Sequence, residues 1–318
     1  MAFLAGIDEA GYGPFVGPLV HGYSMFRVPD LDIDLWKVLA TSCDRKPART
    51  DKRRLWVNDS KKVHQGTLGR GRLERSVATF RQLLNNDTML DTWLSEKPAP
   101  SPRNLHHAPW FKELEIPFCP STTLERSKLD ASSVQRDLYA AGCNLSSFGA
   151  RVVPAAEYNN LLDTLGNKGA TNFEIAMQCV RHVIELSGDA PLRIELDQHG
   201  GRLDYSRILE QALKPQDVKV HGENAGGSTY SLQFEQRIVQ IRFSSEADLK
   251  HLPVALASMA AKQSRERMMD CFNKYWGEQF PDLKPTKGYG VDGKRWLADI
   301  EPHLDELQID RSILRRKR

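Results

Sequence analysis

Phe3, Leu4 and Ile7 form a short apolar run that ends in Asp8 and Glu9 and then in a turn punctuated by Gly11, Gly13 and Pro14. That pattern predicts a buried strand delivering two carboxylates into a loop. Adjacent strand residues point to opposite faces, so the two acids serve one site only if the strand stops there and the backbone turns. Residues 15–28 are apolar with Gly17, Pro18 and Gly22 among them, which predicts a second strand returning antiparallel to the first. Over 70–84, Leu73, Val77, Phe80 and Leu84 fall at helical spacing on a basic amphipathic helix.

Between 85 and 148 the periodicity is lost. Pro98, Pro100, Pro102, Pro109, Pro117 and Pro120 break the stretch, with Trp93, Trp110 and Phe111 among them. It reads as an irregular elaboration of about 85–150 on a core fold. Beyond it, Thr171 and Asn172 are placed to cap a helix with Phe173, Ala176, Met177, Val180, Val183 and Ile184 on one face. Residues 192–196 alternate apolar and charged and run into Asp197 and the glycines at 200 and 201, repeating the arrangement of the first strand. A helix over 202–213, a turn at Gly226–Gly227 and a strand over 238–243 follow. Asp248 then precedes a helix opened by Pro253, whose Ala257, Ala260 and Ala261 form a close-packing face.

Composition narrows the class without naming a partner. The 318 residues are 40% hydrophobic with a net charge of +3, enough for a folded core and only mildly basic, so nucleic acid is permitted rather than demanded. No uncharged apolar run reaches membrane-spanning length and no signal peptide is evident, so a cytoplasmic protein with no membrane association is expected. Five scattered cysteines without a CxxC pair argue against a disulfide framework, and His106–His107 with Cys119 and Cys143 lack zinc-motif spacing. The basic run 315–318 reads as a solvated tail.

The chemistry lies in the acids. Asp8, Glu9, Asp197 and Asp248 each follow a predicted strand. Alternating strands and helices place such positions together at one edge of an α/β sheet. Two carboxylates about 4 Å apart repel by about 4 kcal/mol at an effective dielectric near 20, so the cluster requires cations or protons. Oxygen donors select Mg²⁺ or Mn²⁺ over zinc, and a site without an activated Ser or Cys points to metal-activated water attacking a phosphodiester. Ser60 and Lys61 fit either a phosphate site or a capped helix start with solvated lysines. Tyr289, in Lys287-Gly-Tyr-Gly290, fits either stacking on a sugar or base, or a local anchor.

Taken together, Gly6-Ile-Asp-Glu-Ala-Gly-Tyr-Gly-Pro14, Asp59-Ser-Lys-Lys62, Leu196-Asp197, Asp248 with Ala257-Ser-Met-Ala-Ala-Lys262 and Arg265-Glu266, and Lys287-Gly-Tyr289 resemble, in order, the motifs of type 2 ribonuclease H, the ribonuclease HII family. The resemblance implies a ribonuclease H-like mixed β-sheet flanked by helices, with a catalytic domain over 1–270 and a helical segment over 271–318 packed on it. It implies a monomer that hydrolyses the RNA strand of an RNA/DNA hybrid, or incises DNA on the 5′ side of embedded ribonucleotides. Asp8, Glu9, Asp197 and Asp248 would be catalytic and hold Mg²⁺ or Mn²⁺. Gly11, Tyr12 and Gly13 with Tyr289 would read the ribose, and Ser60 and Lys61 would hold phosphate. The family's opening turn is Gly-Arg-Gly, so Tyr12 removes a cation, and Gly290–Val291 replaces the usual Pro-Thr. A binding paralogue that does not cut, and a nuclease of the same fold with another substrate, are the competing readings.

Overall fold

Alternation along the first strand sorts the molecule into two cores. Ala2 and Leu4 belong to one hydrophobic cluster, Ala5 and Ile7 to another, so even and odd positions face opposite sides of the sheet. The structure is a computed structural model that describes residues 1–48, 50–84, 88–95, 105, 107–235 and 237–317. His106, Pro98, Pro100, Pro102 and Arg318 lie outside the described residues.

β1 (Ala2–Ala10) and β2 (Leu19–Val28) form the expected antiparallel hairpin, paired from Ala2 with Val28 to Ala10 with Val20. Two short strands, β3 (Cys43–Asp44) and β4 (Leu55–Trp56), make a separate parallel pair. β5 (Asn144–Val153) lies antiparallel on the outer side of β2. On the other side of β1, β6 (Leu192–Asp197) runs parallel, followed by the parallel β9 (Ile238–Ser244). The sheet ends in an antiparallel hairpin of β7 (Asp217–Asn224) and β8 (Gly227–Gln233), turned at Ala225–Gly226. The seven-stranded order is β5-β2-β1-β6-β9-β8-β7, a mixed sheet flanked by helices.

The helix Leu252–Gln279 lies against β1 and β2 and is buried nearly throughout. Two glycines allow the approach. A Cβ on Gly6 would fall 2.2 Å from backbone atoms of Pro253 and Val254, and one on Gly22 would fall 2.0 Å from the Ala257 carbonyl oxygen. Ser24 Oγ donates to Pro253 O at 2.8 Å beside them. The opposite face is covered by the helix Lys168–Leu186, with Ala176, Met177, Val180 and Val183 packed into the second core. Asn167 caps it by accepting from Ala170 N, and this moves the start ahead of the expected Thr171–Asn172 and leaves those two residues buried inside the helix.

The proline-rich stretch is more regular than its sequence predicts. It contains the 17-residue helix Leu124–Ala140 and leads straight into β5. Its aromatics cover the outer side of the Leu252–Gln279 helix. Trp93 donates to Ser264 Oγ at 2.8 Å and stacks on Phe118, and Trp110 packs on Phe272 and Trp276. Periodicity missed these residues because their partners lie on one distant helix. All five cysteines are free. Among the described residues no helix is long and apolar enough to cross a membrane.

Candidate active site at the ends of the central strands

β1 and β6 pair in parallel as far as Ile7 with Leu196, so Asp8 and Asp197 are the next residues on two neighbouring strands. Leu196 shares the core of Ile7; Asp8 and Asp197 therefore take the other face. Asp197 Oδ1 accepts from Ala247 N at 3.2 Å, across the end of β9, which brings in Asp248 on the short turn of helix Ala247–Lys250. The close crossing at Gly22 sets Ser258 over Asp8, to which it is hydrogen-bonded. Ser258 Oγ is also in hydrogen-bond contact with Ser60 Oγ at 3.0 Å. Ser258 was legible in the sequence only as one polar residue on a small-residue helix face; its role appears once helix and sheet are superposed.

Charge repulsion marks these acids as one group. Asp8 is held well above the ordinary carboxylate range, by burial first and then by Glu9, with Asp248 adding to the effect and the Ser258 hydrogen bond opposing it. Glu9 is pushed up to about 7 by burial and then by Asp197, against Lys61. Asp248 is raised by burial, then by Asp59 and Asp197, with Lys62 opposing. Each shift disfavours the ionised form.

Contrary to expectation, the strand does not stop at the acids. β1 continues to Ala10, with Asp8 opposite Gly22 and Glu9 opposite His21, because its ladder with β2 outlasts its ladder with β6. The two side chains consequently leave by opposite faces, and the site wraps around the sheet's end. Glu9 lines an open cavity of about 700 Å³ with Tyr12, Asn172, Phe173, Gln198 and His199. The buried Asn172 Oδ1, Gln198 Nε2 and His199 Nδ1 have no hydrogen-bond partner among the described residues.

The backbone turns at Gly11, where φ is +89° and a Cβ would meet Arg265 Nε at 2.5 Å. Gly13 has no positive φ, and a Cβ there would meet nothing within 4 Å. The N–H groups of Tyr12 and Gly13 make no backbone hydrogen bond among the described residues. The turn is joined to the late Lys287-Gly-Tyr segment by Phe15 N donating to Gly288 O at 2.8 Å. Tyr12 and Tyr289 expose their rings beside it, with Lys168 over the first and the Arg265 guanidinium over the second.

The other expected contacts divide. Lys61 is exposed and electrostatically coupled to Glu9. Ser60 is buried, with its hydroxyl taken by Ser258 rather than turned to solvent. Lys262 turns to Glu266 at 2.6 Å. The run 315–318 is no solvated tail through its described part, because Arg316 is buried against the opening turn.

Among the described residues no group of three or more His, Cys, Asp or Glu side chains stands placed to hold a metal ion. In chemistry the donor set does fit a hard divalent cation: it is made of carboxylate oxygens, and their mutual repulsion is what such an ion relieves.

Residues 201–298, the segment that carries Asp248, Ser258, Arg265 and Tyr289, match the family model described as Ribonuclease HII. Asp8, Glu9 and Asp197 lie outside it. Among solved structures the chain is similar to a chain of the PCNA:RNase HII complex from Archaeoglobus fulgidus (15% identity, 99% of this chain and 94% of that chain, TM-score 0.42). It is also similar to ribonuclease H2 from Pyrococcus horikoshii OT3 (14%, 98% and 92%, 0.38) and to Bst-RNase HIII in complex with Mn²⁺ (14%, 99% and 66%, 0.46). Likenesses this distant bear on neither substrate nor chemistry. No curated protein matches the chain.

Proposed function

We propose that this chain is a divalent-metal-dependent endoribonuclease of the type 2 ribonuclease H kind. Its substrate would be the RNA strand of an RNA/DNA hybrid, or a DNA strand cut on the 5′ side of embedded ribonucleotides. The observation that carries the reading is the gathering of Asp8, Asp197 and Asp248, with Glu9 next in sequence, at the ends of adjacent strands, beside a glycine turn whose Tyr12 and Gly13 N–H groups make no backbone hydrogen bond among the described residues. Mg²⁺ or Mn²⁺ bound by these four acids would supply the activated water for phosphodiester hydrolysis. Ser258 orients Asp8. The N–H groups of Tyr12 and Gly13, without a backbone acceptor among the described residues, suit the ribose 2′-OH, which distinguishes RNA from DNA, and the exposed Tyr289 ring suits the sugar that follows. Lys61, which is exposed and acts on Glu9, would hold phosphate, with Ser60 fixing the helix start beneath it.

The test is incubation with Mg²⁺ or Mn²⁺ and three labelled duplexes: an RNA/DNA hybrid, DNA with one embedded ribonucleotide, and DNA alone. Cleavage restricted to the first two, leaving 3′-OH and 5′-phosphate ends and abolished by EDTA, is expected. Undiminished cutting in excess EDTA would reject the metal mechanism. Binding of the duplexes without cutting would favour the non-catalytic reading, to which Tyr12 and the insertion over 85–150 lend weight.

A further inference from the structure

Arg316 is 2% exposed and lies far in sequence from everything it touches. Its Nη2 donates to Gly11 O at 2.6 Å and to Pro14 O at 2.7 Å, and its backbone N donates to Phe15 O at 2.9 Å. Arg315 bridges antiparallel to Val16. The segment is fastened on its other side by Asn159, whose Nδ2 donates to Ser312 O and Arg315 O, both at 2.9 Å, and whose Oδ1 accepts from Lys317 N at 2.7 Å. Residues 312–317 are therefore threaded between the opening turn and the helix Ala155–Leu165.

A second buried guanidinium meets the same turn. Arg265, fully buried, donates from Nη2 to Lys287 O at 2.9 Å and to Val16 O at 3.3 Å, and fills the space that a side chain at Gly11 would need. Among the described residues neither arginine is in an ion pair, and Nε and Nη1 of both lack hydrogen-bond partners. Two like charges buried together without a counterion are unfavourable in a protein interior. An anion arriving on the outer side of the turn relieves that cost, because the intervening medium screens the charges poorly.

We propose that Arg316 is a positioning residue of the candidate active site. It fixes the carbonyls of Gly11 and Pro14 so that the N–H groups of the turn face outward, and with Arg265 it sets a positive potential beneath the turn where position 12 carries no cation. The ligand class is the phosphodiester backbone of the substrate strand. The ligand part of the proposal rests on the nuclease reading; the positioning part stands on the contacts of the free protein.

Amide hydrogen exchange of the free protein and duplex affinity measured without divalent metal test the two parts separately in wild type, Arg316→Lys and Arg316→Gln. In Arg316→Gln, exchange at residues 11–16 should rise at least tenfold while the helix Lys168–Leu186 stays protected. The Kd for DNA with one embedded ribonucleotide should weaken at least tenfold, and Arg316→Lys should recover part of it. Unchanged exchange at 11–16 overturns the positioning role. Faster exchange with unchanged Kd overturns the ligand part and leaves a structural clamp. Should Arg316→Gln not fold, Asn159→Ala loosens the same segment without touching the turn, and the same comparison decides the matter with smaller shifts. Failure of wild type to bind any of the three duplexes rejects the nuclease reading itself, while the exchange measurement still decides the positioning role.

Discussion

Asp8 and Glu9 are neighbours in sequence and occupy opposite kinds of surroundings. Asp8 leaves β1 on the side closed by the Leu252–Gln279 helix, where two glycines bring backbone against backbone and Ser258 holds the carboxyl. Glu9 leaves on the side where the Lys168–Leu186 helix stands off and a cavity of about 700 Å³ opens. One face has no room to change and the other has room for a ligand. Rigid packing on the closed side fixes where the acids stand, and the open side is where substrate has access.

The largest expected effect is on chemistry. Asp8→Asn, Asp197→Asn and Asp248→Asn should each lower turnover by about a thousandfold or more, roughly 4 kcal/mol of lost transition-state stabilisation. The apo protein should be at least as stable as wild type, since an amide replaces a carboxyl whose charge is disfavoured first by burial and then by neighbouring acids, as at Asp8 and Asp248. Melting well below wild type in the absence of metal would make these acids structural.

Next comes the closed face itself. Gly22→Ala sets a methyl 2.0 Å from the Ala257 carbonyl, a backbone atom that can move only if the helix moves. Overpacking of this kind costs about 1–3 kcal/mol and occasionally more, and the shift would carry Ser258 away from Asp8. Gly13→Ala, with open space around it and no positive φ, should leave stability within about 0.5 kcal/mol of wild type. Chemical denaturation of the two variants makes the comparison; equal losses would contradict the packing described for the two glycines.

What the sequence disclosed and what it withheld follow from the same contrast. The hairpin of β1 and β2, β6 ending in Asp197, β9 and the Pro253-led helix were legible because each shows its own period or cap within a few residues. Ser258 was not legible as a site residue, because its meaning depends on a helix crossing fixed by Gly6 and Gly22. Nor was Arg316: a basic residue in a basic run looks solvated until its hydrogen bonds to Gly11 and Pro14 are seen. Asp8 and Glu9 on opposite faces follow from strand periodicity alone, but the continuation of β1 to Ala10 depends on β2, which local pattern does not reveal. Asn172 was read as a cap because its partner signal, Asn167, stands one turn earlier with the same chemistry.

Acidity distinguishes the faces more gently. Glu9 titrates near 7 in the folded chain, against an ordinary value of 4.5. A raised folded value means that its contribution to stability is fully present below the unfolded pKa and is lost as pH rises through the folded one. Between about pH 4.5 and 7 the apo protein should therefore lose stability on this account. Glu9 is partly exposed, so solvent screening reduces the effect. A fall in Tm of about 1–2 °C, what roughly 1 kcal/mol produces in a protein of this size, is expected, and Glu9→Gln should flatten it. Saturating Mg²⁺ should also flatten it by binding the ionised form. A wild-type slope that persists unchanged in Glu9→Gln would place the titrating group elsewhere.

The smallest effect is the most specific to the closed face. The Ser258 hydroxyl is hydrogen-bonded to Asp8 and favours its ionised form, opposing burial and the charge of Glu9. In Ser258→Ala that help is lost, so the Asp8 carboxyl should move further up and a higher pH should be needed to ionise it. A net hydrogen bond is worth roughly 0.5–1.5 kcal/mol, so the acid limb of the rate profile should shift upward by up to about one pH unit. The rate on the alkaline plateau should change little. Ser60, whose hydroxyl meets that of Ser258, should retain its place through the helix capped by Asp59, whose side chain accepts from Lys61 N at 2.9 Å. The matched control is Asn172→Ala on the open face, which removes a buried amide facing the cavity without touching Asp8. It should leave the acid limb where it was and alter duplex affinity instead. If the two variants shift the acid limb equally, the carboxyl that limits the rate at low pH is not held by Ser258, and the division between a closed positioning face and an open binding face fails.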